Sequence, residues 1–397
     1  MTQIMRAYLV GPAVADPSQQ VAGLSLMMRA LLSLQDLGIQ ELFLQNISPA
    51  ELPQDPRLRL QLQTSPGSGP ALVVRLGSLW HTGLARRLSQ SMPDPDEIIG
   101  VSSASAALYA AGEEALPRLL QSITEPEKLL VHHDSPVLPE FILAPTSEAE
   151  RRHAERLLLL SLLKPTDGII SRHLNRPISL RVTQWLLPTS FTPNQMTLVA
   201  AVFGVIGSIL AWNGHYWGLV LAALFLQIQS ILDGCDGEIA RLKHQKSRLG
   251  EWLDQVFDDV INISFLFAVG HGLAQQGSSF AWTVALVSLV SHTLYQISLY
   301  TAFWTKAGGR GSVTALHWWG QGGPKQSPST PLGRLWFAAK QFVEEAGKRD
   351  FFTFLYLPCA LLGITEVAFL WHAVIAISSG IITTSQWLLL GGPKSSE

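Results

Sequence analysis

The pattern of hydrophobic and polar positions changes near residue 145 of the chain. Before that point, short apolar runs rich in β-branched and aromatic residues alternate with stretches in which apolar residues recur every three to four positions. The runs are RAYLVG, ELFLQN, LVVRLG, EIIGVSS and LLVHHD, and the helical stretch is LSLMMRALLSLQDLG. This rhythm predicts an α/β domain over residues 1–145, built from βαβ units and interrupted by a loop at TSPGSGP, residues 64–70.

A helix signal separates the two patterns. Ser147 and Glu150 have the spacing of a capping box at the start of TSEAERRHAERLLLLSLLKP. Basic residues and leucines in this stretch suit a helix at a membrane surface, and a plain linker helix explains them equally well. We assign residues 146–190 to linker and juxtamembrane helices.

Residues 191–397 contain apolar segments of membrane-spanning length. Six stretches of about 20 residues are long enough for the hydrocarbon core of a bilayer. The predicted spans are 191–212, 216–236, 254–276, 280–304, 350–371 and 373–390. The fold class is therefore an α/β domain followed by an all-α, six-helix transmembrane bundle.

Lysine and arginine positions predict the orientation of these spans. The connections at 213–215 and 270–279 contain no Lys or Arg, whereas the opposite connections are basic. The basic residues are Arg172, Arg176, Arg181, Arg241, Lys243, Lys246, Arg248, Lys306, Arg310, Lys325, Arg334, Lys340, Lys348 and Arg349. The positive-inside rule places both termini on the cytoplasmic side of the inner membrane. The first residues lack a signal-peptide pattern, so the α/β domain is expected to stay in the cytoplasm.

Composition agrees with a soluble part joined to a membrane part. Of 397 residues, 47% are hydrophobic and only 15% are charged, and the mean hydropathy is +0.24. The formal net charge of −2 argues against nucleic acid as a partner, because phosphate binding needs a basic face. The two cysteines, Cys235 and Cys359, lie in or beside apolar segments and form no disulfide framework.

Four aspartates lie where span two ends and span three begins, in DGCDGEIARLKHQKSRLGEWLDQVFDD at residues 233–259. Asp233 and Asp236 are three residues apart, and Asp254 and Asp258 are four apart, so each pair shares one helix face. If the basic loop reverses the chain, the pairs face each other at the membrane edge and repel unless a cation neutralises them. Because Mg²⁺ prefers oxygen ligands, the spacing predicts a divalent-cation site. The alternative is a pair of solvated helix ends.

Small and basic residues accompany these acids. Gly237 and Ala240 leave backbone accessible to a ligand, and Arg241 offers a fixed cation for a phosphate. Gly250 is expected to let the second acidic helix pack tightly against the first.

These residues resemble the DxxDGxxAR(x8)GxxxDxxxD signature of the CDP-alcohol phosphatidyltransferase family. Every position is present: Asp233, Asp236, Gly237, Ala240, Arg241, Gly250, Asp254 and Asp258. TPNQ at 192–195 also resembles the family, and the resemblance covers residues 164–390. It implies a six-helix membrane enzyme, a homodimer, that moves a phosphoalcohol from a CDP-alcohol to an acceptor alcohol and releases CMP.

The resemblance also implies residue roles. Two Mg²⁺ or Mn²⁺ ions would be held by Asp233, Asp236, Asp254 and Asp258, and Asp258 would act as general base. The CDP site would be lined by Asn194, Gly237, Ala240, Arg241 and Gly250. No Ser, Cys or His lies in the motif at a spacing that suggests a covalent intermediate, so direct displacement is preferred. Cys235 points in a different helical direction from the acids, and we expect it to pack.

A narrower resemblance involves KPTDGIISRHLNRPISLR at 164–181 and KRDFF at 348–352. Both are similar to the di-myo-inositol phosphate phosphate synthase branch, which is often fused behind a cytidylyltransferase. The cations Lys164, Arg172, Arg176 and Arg349 would suit an acceptor that itself bears phosphate, such as inositol phosphate. The positive-inside rule also requires basic residues here, and both explanations stay open. A lipid donor, CDP-diacylglycerol, is the alternative within the family.

The first domain resembles a degenerate, Rossmann-like nucleotidyltransferase. VAGLSLMMRALLSLQDLGIQELFL is similar to a cytidylyltransferase block in which a lysine follows the VAG turn, and Leu24 occupies that position here. YLVGPAVADPSQQ lacks the Gly-rich, Arg-bearing phosphate loop, and VVRLGSLWHTG lacks a metal-binding acid. We expect a retained fold that has lost its reaction and serves docking, regulation or dimer support.

Two hypotheses from other functional classes are alternatives to an enzyme. A divalent-cation transporter also needs membrane carboxylates, but it places them near the bilayer midplane and has no use for Gly-x-x-Ala-Arg. A non-catalytic membrane scaffold is the third reading, and the complete acidic set argues against it.

Overall fold

The computed structural model describes residues 3–13, 15–64, 68–102, 106–123, 141–164, 166–306, 316–317, 330–392 and 394–395. The predicted strand LLVHHD, the centre of the TSPGSGP loop, Arg310 and Lys325 lie outside these residues. The chain divides into two compact units. Unit 1 comprises Met1–Lys164, Thr183–Phe191 and Glu238–Gln245, and unit 2 comprises Pro165–Val182, Thr192–Gly237 and Lys246–Glu397.

Unit 1 contains an α/β sheet domain, as the sequence predicted. Its strands are β1 (Arg6–Val10), β2 (Gln20–Val21), β3 (Leu24–Ser25), β4 (Glu41–Gln45), β5 (Gln61–Gln63), β6 (Ala71–Arg75), β7 (Leu79–Trp80), β8 (Ile98–Ser102), β9 (Ala107–Ala111) and β10 (Ile142–Leu143). Its helices are α1 (Leu26–Asp36), α2 (Thr82–Gln90), α3 (Leu116–Ser122) and α4 (Glu148–Leu160). Ser147 caps α4 with the predicted capping box.

Six strands form one sheet in the order β5, β4, β1, β6, β9, β8. The first four are mutually parallel, and β9 pairs antiparallel with both β6 and β8. The predicted βαβ pattern is present in β1, α1 and β4. It is absent at the other end of the sheet, where β9 is antiparallel to its neighbours. Strand β9 reads ALYAA, and alanine has little strand preference, so the hydrophobic pattern did not predict this strand.

The sheet is buried on both faces. Ala7 and Leu9 of β1 join the core that contains α1, while the alternate residues Tyr8 and Val10 join the core that contains α3. Ser25 caps α1 by accepting a hydrogen bond from the Met28 N–H. Leu24 packs with Met28 and Leu32 in a small apolar cluster.

Long helices make up unit 2. They are α6 (Pro193–Trp212), α7 (Tyr216–Leu242), α8 (Arg248–Gln275), α9 (Ala281–Lys306), α10 (Pro331–Ala346), α11 (Arg349–Leu361) and α12 (Thr365–Leu390), with α5 (Arg176–Leu186) ahead of them. Short strands β11 (Leu316–His317) and β12 (Lys394–Ser395) pair with each other. The last residues of α5 and α7 belong to unit 1.

Among the described residues, four helices are long and apolar enough to cross a membrane, namely α6, α7, α8 and α12. The predicted spans at 280–304 and 350–371 correspond to α9 and to the 13-residue α11. The predicted break at residue 372 was wrong, since the chain breaks at Gly363, which has φ +72°, and α12 begins at Thr365. His372 is instead buried inside α12 and hydrogen-bonds the Tyr356 hydroxyl.

The acidic helices are also longer than the predicted spans. Helix α7 continues to Leu242 and α8 starts at Arg248, so only residues 243–247 connect them. All four motif aspartates therefore lie on helices.

Glycines let these helices approach closely. A Cβ on Gly204 would lie 2.6 Å from Ile261 Cγ2, one on Gly270 would lie 2.6 Å from Ala285 Cβ, and one on Gly380 would lie 2.4 Å from the Ser291 carbonyl oxygen. The outer face of α6 exposes a stripe of large apolar residues at helical spacing: Leu198, Val202, Val205 and Ile209. Such a stripe suits contact with lipid tails.

Candidate active site

Three of the four motif aspartates meet where α7 and α8 face each other. Asp233, Asp254 and Asp258 each offer a carboxylate oxygen, and these oxygens all lie within 4.8 Å of one another. The i, i+4 spacing of Asp254 and Asp258 places both on the side of α8 that faces Asp233. The sequence prediction that the two acidic pairs face each other is confirmed in this geometry.

Asp236 lies beside this trio. It is buried, with 6% of its surface exposed, and it accepts a hydrogen bond from the Thr197 hydroxyl on α6. Its carboxylate also lies close to that of Asp254. The fourth carboxylate is therefore adjacent to the cluster and is oriented by α6.

Arg349, at the start of α11, enters the acidic cluster. Its Nη1 donates to Asp233 Oδ2 at 3.0 Å and also to Asp258 Oδ2, and its Nη2 donates to Gln229 Oε1 at 3.1 Å. Gln229 lies one turn before Asp233 on α7 and completes the contact by donating to Asp258 Oδ1 at 3.5 Å. The guanidinium supplies positive charge that the close carboxylates need.

The donor set fits a hard divalent cation. Every ligand candidate is a carboxylate oxygen, the type that Mg²⁺ and Mn²⁺ prefer. Among the described atoms, Asp254 Oδ1 is buried and has no hydrogen-bond partner, although it lies inside the cluster. Arg349 contacts Asp233 and Asp258, so Asp254 Oδ1 stays available to bind an ion.

Two of the residues predicted to bind CDP are brought together. A Cβ on Gly250 would lie 2.8 Å from Asn194 Oδ1, so the start of α8 touches the start of α6. The expectation that Gly250 packs against the first acidic helix was wrong, because the atoms within 4 Å of that position belong to Asn194 and Ser247. Thr192 caps α6 through a capping box with Gln195, which fixes the TPNQ turn.

The other predicted CDP residues continue along α7 after the acids. Gly237, Ala240 and Arg241 are half-buried and follow Asp236 within the next two turns. Cys235 is fully buried and contacts the Ser179 carbonyl, in agreement with the predicted packing role.

A polar cavity of about 270 Å³ adjoins the acidic cluster. The residues that line it are Thr166, Asp167, Gly168, Ser171, Asn175, Arg176, Ser179, Ser230, Ile231, Asp233, Gly234, Lys348, Arg349 and Asp350. Two of the four cations predicted to bind the acceptor are in this set, Arg176 and Arg349. Arg172 and Lys164 are not: Arg172 is exposed and donates to the Asp167 carbonyl, and Lys164 belongs to unit 1.

The cations of this cavity are held by acids. Arg176 pairs with Asp167, with its Nε 3.1 Å from Oδ2, and Lys348 pairs with Glu345 at 2.5 Å. Asp350 accepts a hydrogen bond from the Ser171 N–H at 2.7 Å and closes over Gly168, where a Cβ would lie 2.3 Å from Asp350 Oδ2. The KPTDG and KRD segments therefore meet at one end of the cavity.

Sequence reasoning missed several residues of this site. Gln229 could have been found from its i, i−4 spacing to Asp233, and Thr197 from its position one turn after Pro193 of TPNQ. Asp167, Lys348 and Asp350 lie inside the quoted segments, but the contact of Asp350 with the Ser171 N–H joins parts of the chain that are 179 residues apart.

Comparison with known proteins agrees with this geometry. Residues 190–378, just under half of the chain, match the family model "CDP-alcohol phosphatidyltransferase". This range includes the four aspartates, Asn194, Gly250 and Arg349.

Among curated relatives, the "Bifunctional IPC transferase and DIPP synthase" of Thermococcus kodakarensis is 37% identical over 150 residues, which are 38% of this chain and 33% of the relative. The protein of the same name from Aquifex aeolicus is 36% identical over 133 residues, 33% of this chain and 30% of the relative. The "Archaetidylinositol phosphate synthase" of Pyrococcus horikoshii is 26% identical over 118 residues, 30% of this chain and 58% of the relative. The matched segments thus span about a third of the bifunctional relatives.

Proposed function

We propose that the protein is an integral membrane phosphotransferase that moves a phosphoalcohol from a CDP-alcohol to an acceptor alcohol and releases CMP. The observation that carries the proposal is the convergence of Asp233, Asp254 and Asp258, with oxygens within 4.8 Å of one another, at the complete signature of the family. Asp236 supports it as a fourth carboxylate close to Asp254.

In this proposal the four aspartates hold divalent cations, which when bound neutralise charge on the diphosphate and on the leaving CMP. Asp258 removes the proton of the acceptor hydroxyl as the new phosphate–oxygen bond forms. Arg349 contacts Asp233 and Asp258. Its positive charge stabilises the negative charge that develops on the reacting phosphate. Asn194, Gly237, Ala240, Arg241 and Gly250 bind the CDP moiety.

We propose inositol phosphate as the acceptor. The supporting observation is the polar cavity beside Asp233, which combines Arg176, Lys348 and Arg349 with hydroxyl and amide groups. Guanidinium and ammonium groups recognise a phosphate, while hydroxyl and amide groups suit a polyol. One relative carries inositol phosphate in its name, archaetidylinositol phosphate synthase. Arg172 and Lys164 have no part in this cavity and are assigned to membrane orientation.

A lipid donor is the second candidate. An apolar cavity of about 470 Å³ adjoins α11, the helix that begins with Arg349, and its lining is Phe342, Ala346, Phe351, Leu355, Val367, Leu370, Trp371 and Val374. Such a surface suits an acyl chain, as a CDP-diacylglycerol donor requires. The protein would then be a phosphatidyltransferase that makes a phospholipid.

The test is a CMP-release assay on the full-length protein in proteoliposomes. CDP-inositol and CDP-diacylglycerol serve as donors, each with inositol 1-phosphate, free inositol and glycerol as acceptors. The proposal predicts CMP release that requires a donor, an acceptor and Mg²⁺. Mg²⁺ or Mn²⁺ flux without CMP release from any pair would instead favour a divalent-cation transporter, and neither activity would favour a scaffold.

The arrangement in the membrane is part of the proposal. Both termini and the acidic cluster face the cytoplasm, and two copies form a homodimer. Single cysteines placed at Asn213 and Ser395 in a chain without Cys235 and Cys359 test the topology. An impermeant maleimide should label position 213 from the periplasmic side and position 395 only after the membrane is opened.

A further inference from the structure

The last turn of the motif helix α7 is held by basic side chains of unit 1. Arg29, on α1, donates from Nη1 to the Leu242 carbonyl at 2.9 Å, and Arg57 donates from Nη1 to the Lys243 carbonyl at 2.9 Å. The last carbonyls of a helix have no partner within the helix, and a cation satisfies them both as a donor and through the helix dipole. Two arginines of the α/β domain thus satisfy main-chain carbonyls at the end of α7, within the same unit.

Arg29 is fixed for this contact. Only 4% of its surface is exposed, and its Nη2 donates to the carbonyls of Val21 at 2.8 Å and Ala22 at 3.1 Å. Burial lowers the pKa of Arg29 to about 10, with Glu155 opposing the shift, so the side chain is charged near neutral pH. A buried charge with this many carbonyl partners is costly to remove.

Arg57 is fixed by a carboxylate. Asp55 receives hydrogen bonds from Arg57 Nε at 2.9 Å and from Nη2 at 2.8 Å, which leaves Nη1 directed at the end of α7. Next to it, His244 Nδ1 lies 2.8 Å from Asp36 Oδ2, at the end of α1. His244 has φ +51°, so the turn that follows α7 is sharply defined.

The VAG turn, residues 21–23, also contacts residues near the end of α7. Ala22 and Gly23 both have positive φ, and a Cβ on Gly23 would lie 2.5 Å from the Leu187 carbonyl oxygen and 3.6 Å from Lys243 Cε. Lys243 is 6% exposed, and its Nζ donates to the carbonyls of Thr189 at 2.6 Å and Phe191 at 3.1 Å, just before the TPNQ turn. The segment that resembles a nucleotidyltransferase block thus contacts Leu187 and Lys243 within unit 1.

We propose that the α/β domain is a positioning clamp for the CDP site, in which Arg29 and Arg57 fix the end of α7 and thereby the Gly237, Ala240 and Arg241 segment. The inference rests on the proposed function for the identity of the ligand. Arg29 and Arg57 are positioning residues, since they contact main-chain carbonyls of α7 and its following turn.

The experiment uses the full-length protein with Arg57→Met, Arg57→Lys and Arg29→Lys, and with Arg118→Met as the control. Arg118 also donates to a main-chain carbonyl of the α/β domain, that of Asp96 at 3.3 Å. Amide hydrogen exchange is followed at residues 237–245, and CDP affinity is measured by calorimetry in Mg²⁺. Kinetics with CDP-inositol and inositol 1-phosphate give the separate KM values.

Loss of a charge-assisted hydrogen bond should raise exchange at 237–245 about tenfold in Arg57→Met. CDP affinity should fall and the donor KM should rise by about three- to tenfold, with the acceptor KM unchanged. Arg57→Lys should recover most of the loss, and Arg118→Met should match the wild type. Arg29→Lys should resemble Arg57→Met, and if it fails to fold, Arg57→Met decides alone.

Unchanged exchange at 237–245 in Arg57→Met would overturn the clamp. Raised exchange with unchanged CDP affinity and donor KM would overturn the positioning role. If the wild type releases no CMP from any donor, the proposed function fails, while hydrogen exchange and CDP binding still decide the clamp.

Discussion

The two parts of the chain that resemble nucleotide-handling proteins differ in what their ligand-binding positions contain. In the helical part, every acid of the motif is present, and Asp233, Asp254 and Asp258 meet within 4.8 Å. In the α/β part, the position of the expected lysine is Leu24, which is 8% exposed and packs with Met28 and Leu32. Burial of an apolar side chain stabilises the fold without serving chemistry.

The fold of a domain and the chemistry of its ligand-binding positions can therefore be judged separately. Close carboxylates repel each other and destabilise a fold unless an ion or a ligand compensates. An apolar residue in place of a lysine needs no ion or ligand to compensate its charge. We therefore predict that the helical part carries the chemistry and that the α/β part has a supporting role.

The largest effect is expected from Asp258→Asn. Turnover should fall by about a thousandfold because the variant loses the general base and one cation ligand, while CDP binding should remain measurable. The measurement is CMP release together with CDP calorimetry. The neighbouring Asp259→Asn is a matched control, because Asp259 accepts hydrogen bonds from Tyr300 and Gln255 and does not join the cluster. CMP release at the wild-type rate by Asp258→Asn would remove Asp258 from the mechanism.

Arg349→Gln should give the next largest effect. Its guanidinium contacts Asp233 and Asp258 and lines the acceptor cavity, so the acceptor KM should rise about tenfold with a smaller change in donor KM. Thermal stability should also fall more in chelator than in Mg²⁺, since either cation can neutralise the acids.

Arg172→Gln is the control for Arg349→Gln, because Arg172 is exposed and outside the cavity lining. Both variants are assayed with inositol 1-phosphate and with free inositol. If the wild type uses free inositol or glycerol as well as the phosphorylated acceptor, the proposed acceptor class is wrong.

Some features of the site and the fold were predictable from the sequence, and others depend on tertiary contacts. The convergence of Asp233, Asp254 and Asp258 was predictable because their spacing on two helices is local, whereas Gly250 contacts Asn194 of α6 and not the first acidic helix. Arg349 was assigned to the acceptor, but its contact with Asp258, 91 residues earlier, is created by tertiary packing. The break at Gly363 was missed, and the predicted boundary fell at His372, which is buried inside α12 and hydrogen-bonded to Tyr356. Strand β9 was missed because ALYAA carries no alternating pattern.

Gly250→Ala should have a moderate effect. The added methyl group would lie 2.8 Å from Asn194 Oδ1, so that the predicted CDP contacts at the start of α6 must move. The donor KM should rise about three- to tenfold, with the acceptor KM unchanged. Steady-state kinetics with each substrate varied in turn give both values, and a selective change in the acceptor KM would argue against a CDP site here.

The smallest signal is expected from the α/β domain. With CTP, Mg²⁺ and inositol 1-phosphate, the full-length Asp258→Asn variant should release no pyrophosphate above background, because Leu24 replaces the lysine and is buried. The variant silences the proposed transfer reaction, so any signal belongs to the first domain. Steady pyrophosphate release would show that this domain has kept a cytidylyltransferase reaction.

The dependence of catalysis on a divalent cation is tested most directly by CMP release from the wild type as a function of free Mg²⁺, compared with Asp254→Asn. Asp254 Oδ1 is the buried cluster oxygen that has no hydrogen-bond partner among the described atoms. We predict no CMP release in excess chelator, recovery on addition of Mg²⁺ or Mn²⁺, and a loss of that recovery in Asp254→Asn. CMP release that continues undiminished in excess chelator would contradict the account.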